Sequence, residues 1–129
     1  MLFRSREFIV AVVEVLRDLG VERLVVGEGD GGYNSYSVED TFRSYRLEEL
    51  RQSHGIEVVN VFKWPSTVLN VDTRRGRFDV NIPRPLVEDF DTYITLPVPK
   101  VHAMTYISNA LKNQWGLVQD VNQIGRAHV

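Results

Sequence analysis

The sequence predicts an α/β domain, a mostly parallel sheet flanked by helices with an antiparallel β-hairpin added to it. Three observations predict it. Apolar residues recur at helical spacing over residues 8–19, and apolar runs of strand length alternate with helical stretches. One further stretch alternates apolar and polar residues on either side of a short arginine-rich turn containing Gly76. Strand, helix, strand in that order implies parallel pairing, because the crossover returns the chain to the end of the sheet from which it started.

Ser5 is placed to cap a first helix, whose Phe8, Ile9, Val12, Val13, Leu16 and Leu19 share one face and which Gly20 ends. Residues 23–26 read as a buried strand running into Gly27-Glu28-Gly29-Asp30-Gly31-Gly32, a loop whose residues tolerate positive φ. Ser37 caps a second helical stretch over 38–54, broken near Arg46 and stopped by Gly55. A strand follows over 56–62. Residues 67–72 and 78–82 then form the hairpin around Thr73-Arg74-Arg75-Gly76-Arg77. Pro83 and Pro85 break the pattern, 86–90 make a short helical turn, 92–96 read as another strand and 103–115 as a closing helix.

The chain of 129 residues suits one domain with a core of its own. A net charge of −2 provides no field to attract nucleic acid, and Arg74-Arg75-Gly76-Arg77 is too short to make a basic face. The charged residues Glu14, Arg17 and Asp18 exclude a membrane span or signal-peptide core in the first helix. No cysteine is present, so the chain itself supplies no disulfide, no thiolate nucleophile and no thiolate ligand for an iron–sulfur cluster. A cytoplasmic setting is the expectation consistent with this.

Ligands of open α/β sheets bind outside the carboxyl ends of the strands, which singles out Glu28 and Asp30. The glycines around them lack the spacing of a dinucleotide-binding turn, and no metal-ligand spacing or Ser-His-Asp order occurs. The segment Leu96-Pro97-Val98-Pro99-Lys100-Val101-His102 is richer in chemistry. Two prolines stiffen it, Lys100 brings a cation, and His102 exchanges protons near neutral pH. On the expected helix, Thr105, Ser108, Asn109 and Lys112 make a polar stripe that extends the pocket, with Asn113 just beyond. Taken singly, each of these residues also suits a cap or a solvated surface, and only their clustering selects them. His54 and Trp64 are read as structural, a helix-terminus group and a packing ring.

In order along the chain stand Val26-Gly27-Glu28-Gly29-Asp30-Gly31-Gly32, Val87-Glu88-Asp89-Phe90-Asp91, Pro99-Lys100-Val101-His102 and Ala110-Leu111-Lys112-Asn113. With these motifs, over residues 5 to about 123, the chain resembles the DUF362 family. The family's loop usually carries Thr where Val101 stands here, and many relatives have a small residue at the position of Tyr106. The resemblance implies that some relatives carry ferredoxin-like iron–sulfur modules, so any cluster would belong to a module outside this chain or to a partner. It further implies a truncated domain, because relatives begin with a strand before the first helix and continue past Trp115-Gly116. Residues 1–123 are accordingly read as a partial domain. Ile124-Gly125-Arg126-Ala127-His128-Val129 resembles the translation of a sequencing adapter, an artefact of environmental sequencing rather than a native tail.

Two functions from different classes follow as expectations. The first is a ligand-binding domain, or an enzyme, holding a small anionic molecule. His102 and Lys100 are its reacting groups, Thr105, Lys112 and Asn113 further contacts, and Glu28 or Asp30 stands opposite. The second is a scaffold domain of an iron–sulfur electron-transfer protein. A purely architectural role for the proline–lysine loop, with Lys100 paired to an acid, is the third reading.

Overall fold

A computed structural model describes residues 6–30, 37–97, 99–102, 106–109 and 114–119. The first helix, α1 (Arg6–Asp18), buries Ile9 and Val13 and ends where Gly20 takes φ 83°. Val21 donates its N–H to the Leu16 carbonyl at 3.0 Å, closing the turn. β1 (Val25–Glu28) follows, and then α2 (Val38–Ser44) and α3 (Glu48–His54) lead to β2 (Glu57–Asn60). β1 and β2 pair in parallel, Val25 opposite Glu57 and Glu28 opposite Asn60. The helical crossover requires this direction.

The expected break within 38–54 is present. Arg46 lies at φ 53°, and Leu47 donates its N–H to the Phe42 carbonyl at 2.9 Å, so the chain changes direction and delivers Leu47 fully into the core. Ser37 caps α2 by accepting the Asp40 N–H at 3.4 Å, and Gly55 ends α3 in the left-handed region, φ 60°. The core consists of Ile9, Val13, Val38, Phe42, Leu47, Leu50, Ile56 and Val58, flanked by Val10, Leu24, Val26, Tyr45 and Leu96. It lies between the helices and the parallel pair. Arg17 fastens that arrangement: Nη1 donates to the Val21 and Glu22 carbonyls and Nη2 to those of His54 and Gly55.

The hairpin forms as the alternation predicts. β3 (Ser66–Thr73) and β4 (Gly76–Pro83) pair antiparallel across Arg74-Arg75, with Gly76 at φ 121°. Asn70 stands opposite Asp79 and donates to its carboxylate at 2.6 Å. The tip is exposed, whereas Val80, Asn81 and Ile82 near the base are half-buried. A short helix, α4 (Pro85–Glu88), occupies the expected helical turn. The fold is therefore mixed α/β: helices, a parallel pair and an antiparallel hairpin.

Three expectations are corrected. Strand β2 stops at Asn60, whose side-chain oxygen accepts the Phe62 N–H at 3.1 Å and starts a 3-10 turn over Val61–Lys63. Among the described residues, 92–96 join no ladder, although Leu96 flanks the core. Within the helix expected over 103–115, the described residues form β6 (Tyr106–Ser108), paired antiparallel with β5 (Lys100–His102) and with Tyr106 at φ 58°, and a 3-10 turn spans Trp115–Leu117, while 103–105 and 110–113 lie outside the described residues. A short helix is stable only when its apolar face is packed. Ile107, which belonged to the expected apolar stripe, is instead 69 % exposed, and its β-branched side chain suits the strand opposite Val101.

Candidate functional site at the carboxyl end of the parallel pair

β1 and β2 end side by side at Glu28 and Asn60, and the polar groups of the fold gather there. Asn60 is buried at 7 % exposure and fully used. Its Nδ2 donates to Asp30 Oδ2 at 2.9 Å and to Glu39 Oε1 at 3.1 Å, while its Oδ1 takes the Phe62 N–H. The second Asp30 oxygen accepts the Val38 N–H at 3.0 Å, joining the β1 end to the start of α2. Glu39, in the first turn of α2, is ion-paired with Lys63 and accepts the Ser37 hydroxyl at 3.1 Å. Lys63 and then Asn60 hold the Glu39 carboxyl down to about 2, and Glu39 in turn raises Lys63.

Glu28 has the opposite environment. Burial pushes its carboxyl up to about 7, against the smaller opposing effect of the Gly29 N–H, which donates to Oε1 at 3.3 Å. Gly29 is itself buried. A Cβ there would lie 2.5 Å from the Gly116 carbonyl oxygen and 2.7 Å from the Phe62 ring, so only glycine allows this approach of main chain to main chain. A Cβ at Gly116 would in turn lie 3.9 Å from Glu28 Oε1. The Gly116 segment is anchored by Gln119, which donates its N–H to the Asn81 carbonyl at 2.8 Å on β4.

The structure thus brings Glu28 and Asp30 to one strand end, and divides their environments. Asp30 has both oxygens engaged in holding the fold, whereas Glu28 is the desolvated acid. Lys100 and His102 occupy alternate positions of β5, in a different sheet from β1. Thr105, Lys112 and Asn113 lie outside the described residues. Asn60, Glu39 and Lys63 escaped the sequence reading. One signal for Asn60 was available, a lone amide inside the apolar run of residues 56–62. Nothing local marks Glu39 or Lys63, which meet only through the fold. His54 behaves as a terminus group, with its carbonyl on Arg17 and Nε2 3.7 Å from Glu14.

Among the described residues no three His, Asp or Glu side chains are grouped to hold a metal ion, and no helix is long and apolar enough to cross a membrane. No curated protein and no solved structure matches the chain. A family does match, over residues 4–129, under the description "Domain of unknown function (DUF362)". With nearly its whole length covered, the chain belongs to the DUF362 family.

Proposed function

We propose that this domain binds a small anionic molecule outside the carboxyl ends of its parallel strands, with Glu28 exchanging a proton with that ligand. The position of Glu28 supports this reading above all: it is the last residue of β1, desolvated, beside the main chain of Gly116. A carboxyl that titrates near 7 donates a proton on one side of neutrality and accepts one on the other, as acid–base work requires. Asp30, Asn60, Glu39 and Lys63 supply the rigid frame that fixes the strand ends. Lys100 and His102 of β5, with Thr105, Lys112 and Asn113, provide the cationic and hydrogen-bonding side of the site.

Calorimetric titration with inorganic phosphate, pyrophosphate and succinate tests the reading. The variant carrying Lys100→Ala and His102→Ala should lose binding while retaining its melting temperature. With succinate, whose own charge is nearly constant over this range, Glu28→Gln should lessen the change of affinity between pH 6 and 8, leaving the part that His102 contributes. Affinity unaffected by the double substitution sinks the proposal.

A further inference from the structure

A second candidate site lies beyond the strand ends. Phe62, Trp64, Ser66, Asn81 and Gln119 line an open cavity of about 400 Å³, within the range of small-molecule sites. Its walls combine two aromatic rings with one hydroxyl and two amides, and none of the five carries a formal charge. Such a lining disfavours an ion and favours a neutral ring with hydrogen-bonding edges.

Trp64 is prepared for stacking. Its ring lies 5.9 Å from that of Phe90 with the planes inclined by 25°, and Phe90 carries the Arg23 guanidinium 4.9 Å from its centroid and Tyr93 at 6.5 Å. The aromatic wall is therefore held by a stacked group of its own before any ligand arrives. Gln119 is adaptable. Its Nε2 donates to the Val61, Phe62 and Trp64 carbonyls at 3.5, 3.4 and 3.2 Å, the first two long, and its buried Oε1 has no partner among the described residues. Turning that amide toward the cavity would let the orphaned acceptor take a donor from an incoming ring.

We infer that this cavity binds an uncharged planar heteroaromatic ring of the nucleobase or pyridine-carboxamide class. The ring stacks on Trp64, and its edge is read by Asn81, Ser66 and Gln119. The inference is independent of Glu28, because stacking on Trp64 requires no ionisation at the strand end.

Saturation-transfer NMR of the full chain with adenine, cytosine and nicotinamide as probes, and glucose and galactose as non-planar comparisons, decides it. Transfer to the ring protons of at least one heteroaromatic probe at millimolar concentration is expected. Trp64→Ala should weaken that binding about tenfold or more, the scale of one lost stacking contact. Ser66→Leu, an exposed position at which an enlarged side chain fills the cavity without disturbing the core, should abolish it and guards against a Trp64 variant that fails to fold. Transfer to the sugars alone, transfer that survives Ser66→Leu, or no transfer to any ring would each overturn the inference.

Discussion

Arg17 and Asn60 show how single side chains hold this fold. Arg17 reaches four main-chain carbonyls, two in the connection after α1 and two at the end of α3. Arg17→Met should therefore destabilise by roughly 2–3 kcal/mol, measured by urea unfolding, since the carbonyls lose a charged donor. Arg17→Lys should recover little, because one ammonium does not span the positions that a forked guanidinium reaches. Asn60→Leu has the right size but removes the donor standing between Asp30 and Glu39, and should cost a similar amount, roughly 2–3 kcal/mol. Of the two, only Asn60 left a trace in the sequence, as an amide in an apolar run. The partners of Arg17 are backbone atoms 4 to 38 residues away, which no side-chain pattern encodes.

Most elements follow their sequence signals because those signals are local. Glycines 20, 55 and 76 all take positive φ and end or turn an element, and the alternation around residues 73–77 sets the hairpin register. Arg46 also sits at positive φ, where a side chain costs about 1 kcal/mol, yet it is ion-paired with Glu49. Arg46→Gly should thus change stability by less than about 1 kcal/mol in thermal melts, whereas Gly29→Ala should cost roughly 1–3 kcal/mol, because neither Gly116 nor Phe62 leaves room for a methyl group. The segment from Lys100 to Ser108 illustrates the limit of local reading. Its periodicity satisfied a helix as well as a strand, and cross-strand pairing of Val101 with Ile107 decided between them.

At the scale of the whole molecule, two carboxyls bound the pH range of stability. The native Glu28 carboxyl titrates above its ordinary value, so its stabilising effect is complete below about 4.5 and is lost as pH rises through about 7. Glu39 is depressed, so its effect is complete above about 4.5 and is lost as pH falls toward 2. Thermal stability should peak on the acid side of neutrality. Glu28→Gln should flatten the alkaline limb between pH 5 and 8 by at most about 3 kcal/mol, and an alkaline limb as steep as in the parent protein would refute the assignment. Neither limb was readable in advance, since Glu28 and Glu39 differ in environment and not in residue type.

The parallel pair carries one more implication. Val25 meets Glu57 only after α2 and α3 have carried the chain back, whereas the hairpin needs nothing beyond its own turn. Loop-closure entropy must be met before the parallel contacts repay it. The hairpin and the individual helices are thus set to form early, and the strand end that presents Glu28 is assembled late. A slow refolding phase should accordingly report the strand end, with amide protons of Val26 and Val59 gaining protection after those of Val71 and Val80.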